Sequence, residues 1–148
     1  MSPSVCTAEN SKTRFQSSSM TSFEPFLSAG GWQMTEDGWY IECLVRARCG
    51  ENFIQFDVDL GELRTVQISY LKDQWVPASM SLHVNSLHPG NEASFFFDTE
   101  EEIGFPVAVK NAAFNLPKDT PLGAYRLTIQ MQIVREWNKQ TLLGILSC

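Results

Sequence analysis

Residues 125–133 read YRLTIQMQI, and this stretch decides the fold class. Apolar side chains occupy every second position from Tyr125 to Ile133, and polar side chains fill the positions between them. Successive side chains of a β-strand point to opposite faces of a sheet, so the pattern predicts a strand with one buried and one solvated face. A helix would instead repeat its apolar positions about every 3.6 residues.

The same alternation recurs along the chain. It is clear in residues 39–47, 54–60, 66–70 and 80–84, and less regular strand-like segments lie at residues 93–97, 107–114 and 141–146. Turn signals rich in Pro, Gly and Asn separate these segments. About eight short strands without a helical pattern between them predict an all-β, antiparallel β-sandwich.

Size and composition fit one globular domain. The chain has 148 residues, of which 43% are hydrophobic and 19% are charged. A chain of this length can bury a sufficient core without metals or cross-links. Residues 1–22 are rich in Ser and Thr and show no apolar period. We therefore expect a flexible N-terminal arm at residues 1–22 and a single β-sandwich domain at residues 23–148.

The charge balance argues against a nucleic-acid partner. The formal net charge is −6, and the 11 Lys and Arg residues are scattered along the chain, whereas phosphate-binding surfaces concentrate basic side chains. No stretch reaches the ~20 apolar residues that cross a bilayer, so we expect no transmembrane segment. If Met1 is the native start, we expect a cytoplasmic or nuclear protein; a module of a secreted protein would be extracellular.

The sequence carries few groups suited to catalysis. It contains no phosphate loop, nucleophile elbow or zinc-protease motif. His83 lies on the polar face of its strand, where it could meet Asp57 or Asp59 from another strand and do acid–base work or hold a metal. The alternation alone requires polar residues at these positions. We therefore expect a solvated outer face and no enzyme.

The densest cluster of carboxylates lies at residues 98–102. Asp98, Glu100 and Glu101 offer the oxygen ligands that calcium takes in loops, but their spacing matches no known calcium loop. We expect a solvated turn and no cofactor, with calcium as the alternative. The three consecutive Phe residues 95–97 cannot all point to one side of a strand. Either both sides are covered, or the middle ring is available to a partner.

The four cysteines leave the disulfide pattern open. On an unbroken strand, Cys43 and Cys49 would lie about 20 Å apart and could not be bridged. If that strand ends near Ala47, they can form a tight loop disulfide. Cys6 and Cys148 lie at the two ends of the chain, and a bond between them would join the termini. Stable bridges belong to oxidising spaces, so the disulfide state would indicate the compartment.

Much of the chain resembles the discoidin family, or coagulation factor V/VIII type C domains. Residues 53–68 are similar to that family's strand ending in Asp-Leu-Gly, here residues 59–61, followed by a hairpin into a Val-rich strand. Shorter similarities follow in the family's order, at residues 17–19, 31–32, 90–91, 124–127 and 142–148. The resemblance implies a galactose-binding-like jelly roll. The Pro-Leu-Gly turn at residues 121–123 is more like that of Ig-like domains, so an Ig-like sandwich is the alternative fold.

Discoidin domains bind glycans, anionic lipids or proteins through loops at one end of the barrel. The resemblance therefore implies a non-catalytic binding module. By position, its contact residues are Phe23, Phe26, Lys72, Asp73, Gln74 and Trp75. A Trp on a loop offers an apolar body with one hydrogen-bond donor, which suits stacking on a sugar or insertion among lipid headgroups. The alternative for Trp75 is a side chain folded over the end of the core.

Two other functions remain open from the sequence. The first is a protein–protein interaction or assembly subunit, in which the polar strand faces or the apolar edge at residues 95–97 pack against another chain. It predicts homo- or hetero-oligomers and a large exposed apolar patch. The second is a small hydrolase or metal site, which requires His83 and Asp57 or Asp59 to meet in a concave pocket.

Overall fold

The computed structural model of the chain describes residues 5–16, 23–43, 51–72, 79–87, 92–98, 108–132 and 138–148. These residues form eleven β-strands, and none of them belongs to a helix that could span a membrane. The strands are β1 (Thr13–Gln16), β2 (Leu27–Ala29), β3 (Gln33–Met34), β4 (Trp39–Cys43), β5 (Phe53–Leu60), β6 (Thr65–Lys72), β7 (Ser79–Ser86), β8 (Glu92–Asp98), β9 (Ala108–Asn115), β10 (Gly123–Gln132) and β11 (Asn138–Ser147).

The described strands make two antiparallel sheets, which confirms the predicted all-β sandwich. The five-stranded sheet has the order β2-β5-β10-β7-β8. The six-stranded sheet has the order β3-β4-β11-β6-β9, and β1 also pairs with β11. Neighbouring strands in each sheet are mostly distant in the chain, as expected for a sandwich with crossing connections.

The alternation in the sequence places the core between the sheets. In the five-stranded sheet, Leu127 of β10 lies opposite Phe56 of β5 and Val84 of β7, and all three are fully buried. Burying side chains of this size contributes about 1.5–3 kcal/mol each, so every inward position favours one register. A slip by one residue would move the whole apolar set into water. The polar positions of the same strands must consequently face outward.

An aromatic cluster joins the first residues of the chain to this core. The ring of Phe23 lies 5.4 Å from that of Phe56, and the ring of Phe15 lies 5.0 Å from that of Phe56. The indole nitrogen of Trp39 donates a 2.7 Å hydrogen bond to the backbone oxygen of Phe23. The segment that leads into β2 is thereby held against both β4 and β5.

The N-terminal segment takes part in the six-stranded sheet. β1 pairs with β11 from Thr13 opposite Ser147 to Gln16 opposite Gly144. The structure therefore places a strand inside the segment predicted as a flexible arm at residues 1–22. Only one apolar residue, Phe15, falls in these four positions, so the sequence shows no period there. The hydrogen bonds of β1 come from its partner strand and not from its own side chains.

A disulfide between Cys6 and Cys148 ties this segment down. Cys6, Leu146 and Cys148 form a small second core outside the six-stranded sheet, with Ala8 and Leu63 packed against it. Cys43 is also disulfide-bonded, and no described cysteine is free, which decides the disulfide state that the sequence leaves open for Cys43.

Asn52 fixes the end of the five-stranded sheet from inside. Its buried amide donates a 2.8 Å hydrogen bond to the backbone oxygen of Met131 and accepts a 2.9 Å bond from the Met131 N–H. Gly30 lies against it with φ +80°, and a Cβ at that position would come within 2.4 Å of the Asn52 Cα. The start of β5, the end of β2 and the end of β10 are thus locked together.

Candidate ligand-binding face

The outer surface of the five-stranded sheet carries a dense set of polar side chains. We call this surface the polar face. Its described members are Gln55, Asp57, Asp59, His83, Asn85, Glu92, Ser94, Arg126, Thr128, Gln130 and Gln132. Four of them are carboxamides, which donate and accept hydrogen bonds with one planar group. The face therefore offers donors and acceptors at the fixed spacing of a β-sheet.

One row of this face crosses all five strands. Leu27, Gln55, Thr128, His83 and Ser94 lie side by side in the register of the sheet. Four spacings of about 4.8 Å between strands make this row roughly 19 Å wide. Gln55 Nε2 donates a 3.1 Å bond to Thr128 Oγ1, and His83 Nδ1 lies 2.8 Å from Ser94 Oγ. These bonds orient the side chains and leave the Gln55 carboxamide oxygen without a partner among the described residues.

The adjacent row contains the charged groups. Arg126 lies opposite Asp57 on one side and Asn85 on the other, and Glu92 follows on β8. Arg126 Nε and a terminal nitrogen donate bonds of 2.8 and 3.1 Å to the two carboxylate oxygens of Asp57. The hydrogen bond to Asp57 raises the pKa of Arg126, and the attraction between the two charges acts in the same direction. The pair forms a planar, bidentate unit.

Phe26 stacks on this ion pair at the edge of the face. The Arg126 Cζ atom lies 3.6 Å from the centroid of the Phe26 ring, a cation–π contact. Phe26 is still 56% exposed, and its backbone N–H donates a 2.7 Å bond to the backbone oxygen of Gln55. Leu27, also exposed, lies next to it on β2. The β2 edge of the polar face is therefore an apolar platform beside rows of polar groups.

Comparisons with known proteins give no family. No family model matches the chain, and no curated protein matches it. Among solved structures, the chain is similar to a two-domain esterase (CEX) active on acetylated mannans, with a TM-score of 0.61 and 12% identity. That match covers 98% of this chain and 38% of that chain. A structure of such an esterase co-crystallized with mannopentaose gives a TM-score of 0.60 and 12% identity, covering 90% and 35%.

A mutant of Xylanase10C from Cellvibrio japonicus, in complex with xylopentaose, is also similar. Its TM-score is 0.50 at 9% identity, over 82% of this chain and 25% of that chain. The shared feature is the fold. The β-sandwich agrees with the galactose-binding-like architecture that the resemblance implies, whereas no family model supports the discoidin family itself. The chain spans little more than a third of the esterase chain.

The structure agrees with some of the contact residues predicted from the resemblance and not with others. Phe26 is exposed, as a contact residue must be. Phe23 is fully buried between Phe15 and Phe56, so its prediction as a protruding contact is wrong. The cause is packing, because the Phe23 ring completes the aromatic cluster of the core. Lys72 ends β6, and its side chain lies outside the described residues, as do Asp73, Gln74 and Trp75.

The structure does not join His83 to the carboxylates that the alternative of a small hydrolase or metal site requires. His83 lies opposite Thr128 and Ser94 and contacts Ser94, whereas Asp57 lies in the next row and pairs with Arg126. Asp59 lies one row further away, opposite Ala124. The antiparallel register separates these groups because β10 runs between β5 and β7. The geometry therefore gives no support to an acid–base site at His83.

The predicted calcium ligands fall mostly beyond the described residues. Asp98 ends β8, and its side chain is not described; Glu100 and Glu101 lie outside the described ranges. Within those ranges, no group of three His, Cys, Asp or Glu side chains could hold a metal ion. The solvated turn predicted at residues 98–101, and calcium as its alternative, both stay predictions.

Of the three consecutive Phe residues, only the side chain of Phe95 is described. It is partly buried and packs on Phe114, with ring centroids 5.1 Å apart. Phe95 therefore points to the core side of β8. The alternative function as an assembly subunit, in which the polar strand faces or the apolar edge at residues 95–97 pack against another chain, stays a prediction.

The polar face itself was missed as a site. From the alternation alone, its members are ordinary solvated positions. A signal was nonetheless present in β10, where Arg126, Thr128, Gln130 and Gln132 occupy four successive outward positions of one strand. Gln130 and Gln132 are two carboxamides in this row. Solubility does not require carboxamides, because charged side chains make a surface soluble as well.

Proposed function

We propose that this chain is a non-catalytic module that binds a polysaccharide on the polar face. The proposal rests on one observation: an in-register row of polar side chains lies beside the exposed Phe26 ring. The row consists of Gln55, Thr128, His83 and Ser94. Sugars present hydroxyl groups that both donate and accept hydrogen bonds, together with apolar C–H surfaces. Planar amides and hydroxyls match the first feature, and an aromatic ring matches the second.

The similar structures support a glycan as the ligand. One is an esterase active on acetylated mannans, and another is a xylanase in complex with xylopentaose. Both proteins are described with polysaccharides or their fragments, and both chains are longer than this one. A binding module of this fold would serve such proteins by holding the polymer.

In the part of the chain that the structure describes, the row is open at both ends, which favours the interior of a polymer chain over a chain end. The row is about 19 Å wide and reaches both edge strands, β2 and β8. A site for a chain end would need a wall of side chains closing one end. We therefore expect affinity to rise with oligosaccharide length until the row is filled. We further propose that the loop residues predicted from the resemblance, Lys72, Asp73, Gln74 and Trp75, also contact the ligand.

The experiment is affinity electrophoresis in gels that contain soluble mannan, xylan, β-glucan or galactan, followed by calorimetry with the polymer that retards the protein. The matched variants are Gln55→Ala and Gln67→Ala. Both residues are partly exposed Gln on a central strand, but Gln67 lies on the outer side of the six-stranded sheet. Loss of one hydrogen bond is worth ~1 kcal/mol, so Gln55→Ala should weaken binding about fivefold.

Gln67→Ala should leave the affinity unchanged. If none of the four polymers retards the wild-type protein, the chain does not bind polysaccharides of these classes, and the proposal fails. If the two Gln variants lose affinity equally, the ligand does not lie on the polar face. The contribution of Trp75 to polysaccharide affinity is measured separately with Trp75→Ala.

A further inference from the structure

We propose that the polar face selects uncharged glycans and rejects acidic ones, and that Asp57 sets this selectivity. The inference rests on the proposed function and names the ligand class of that same site. It also separates a neutral polysaccharide from anionic lipid headgroups, which the loop-based prediction left together.

The first argument is the charge of the face. Its described members include three carboxylates, Asp57, Asp59 and Glu92, against one guanidinium, Arg126. The whole chain has a formal net charge of −6. An acidic ligand would therefore approach a surface of its own sign, and the repulsion would be strongest at low ionic strength.

The second argument is the occupation of Arg126. A guanidinium is the group that best recognises a carboxylate, through two parallel N–H···O bonds. In this structure, the edge of the Arg126 guanidinium that carries Nε and one terminal nitrogen is already used, because these two nitrogens donate hydrogen bonds to both oxygens of Asp57. One side of the guanidinium is also covered by the Phe26 ring at 3.6 Å. Asp57 is thus an internal ligand that competes with any acidic sugar.

The third argument is the nature of the groups left for a ligand. The remaining described members of the face, apart from Asp59 and Glu92, are amides, hydroxyls and one imidazole. Such groups hydrogen-bond neutral hydroxyls well but gain little from a carboxylate that must first lose its water. A neutral sugar therefore loses least when it is transferred from water to this surface.

The test compares Asp57→Asn with Asp59→Asn. Asparagine keeps the size of the side chain and one acceptor for Arg126, but it removes the charge that holds the guanidinium. Asp59→Asn removes the same charge from the next outward position of β5, where the structure gives the carboxylate no ion pair with a described residue. The probes are paired polymers of related sugars: mannan with alginate, and galactan with polygalacturonate.

We expect wild-type protein to bind a neutral polymer and to ignore its acidic counterpart. Asp57→Asn should gain at least about tenfold affinity for the acidic polymer, and this gain should shrink as salt is raised. Asp59→Asn should change the affinity for the acidic polymer less than about twofold. Thermal melting of each variant shows whether it is folded, and the wild-type comparison needs no variant at all.

Three results would overturn the inference. The first is wild-type binding of alginate or polygalacturonate as tight as that of the neutral polymers. The second is an equal gain from both substitutions, which would reflect net charge and not the release of Arg126. In both cases binding to neutral polymers would leave the proposed function intact. The third is no binding of the wild-type protein to any of these four polymers or to xylan and β-glucan, which would remove the proposed function as well.

Discussion

The outer surfaces of the two sheets begin from the same alternating pattern and end with different environments. On the six-stranded sheet, the N-terminal segment lies over part of the surface and forms a second small core around Leu146 and the Cys6–Cys148 disulfide. On the five-stranded sheet, the described chain leaves the polar face open. One outer surface helps to stabilise the fold, and the other is the surface on which we propose that a ligand binds.

The difference shows that exposure on a sheet is decided by what lies over it. Leu146 is nearly as buried as a core residue because the strand β1 and the disulfide bring Cys6 and Ala8 against it. Arg126 holds an equivalent outward position in the middle of the other sheet, and Phe26 is the only ring of the described residues that stacks on it. The sequence period is two in both cases.

The largest expected effect comes from removing the cover of the six-stranded sheet. We expect Cys6→Ser with Cys148→Ser to lower the free energy of unfolding by about 4 kcal/mol, because the bond closes a loop of 142 residues. Urea unfolding without reductant measures this loss. Polysaccharide affinity at temperatures where the variant is folded should not change. A loss below about 1 kcal/mol, or a folded variant without affinity, would contradict the division between the two surfaces.

The next effect concerns the platform of the polar face. Phe26→Ala should lower polysaccharide affinity about tenfold, because an aromatic contact contributes up to ~1.5 kcal/mol. The matched control is Val109→Ala, which removes an apolar side chain of similar exposure, 59% against 56%, from β9 of the other sheet. Calorimetry of both variants decides the matter. Equal losses would show that exposed apolar surface in general, and not this ring, binds the ligand.

The smallest expected effect tests whether the core beneath the polar face contributes to stability and not to affinity. Tyr125 points inward beside Arg126, and its hydroxyl donates a 2.7 Å bond to the backbone oxygen of Pro121. Tyr125→Phe should lower the free energy of unfolding by ~1 kcal/mol and leave affinity unchanged. A change in affinity without a change in stability would place Tyr125 in the binding site and contradict this separation.

The pH dependence gives Tyr125 a second readout. Burial raises the pKa of Tyr125 above its ordinary value of 10.0, and the charge of Arg64 opposes this effect. A raised pKa means that the folded state favours the neutral phenol, so its contribution is complete below pH ~10 and is lost as the pH rises through the folded pKa. The alkaline decline in stability should therefore be shallower in Tyr125→Phe than in the wild type.

Much of the sandwich was predictable because its long strands alternate cleanly. The segments 54–60, 66–70 and 80–84 fall inside β5, β6 and β7. The short strands β1, β2 and β3 were not predictable, because each holds one or two apolar residues and depends on a partner strand for its hydrogen bonds. No local period exists in such a segment.

The site was harder to predict than the fold. Phe23 and Phe26 belong to the same short segment, and nothing in the sequence distinguishes the ring that enters the aromatic cluster from the ring that stacks on Arg126. The polar face depends on the register that sets Gln55 beside Thr128 and His83. Those strands are not consecutive in the chain, so their pairing cannot be read from the alternation of any one of them.

The position of β10 between β5 and β7 also bears on how the molecule folds. β5 pairs with β10 across about 70 residues of chain, from Leu60 opposite Gly123 to Ile54 opposite Ile129. Such non-local pairing requires large loops to close before any contact is gained, and it makes folding slow, on the scale of ~ms to s. The polar rows come together only when this middle strand docks. Ligand added during refolding should therefore bind only molecules that have completed this late step, and it would report on that step directly.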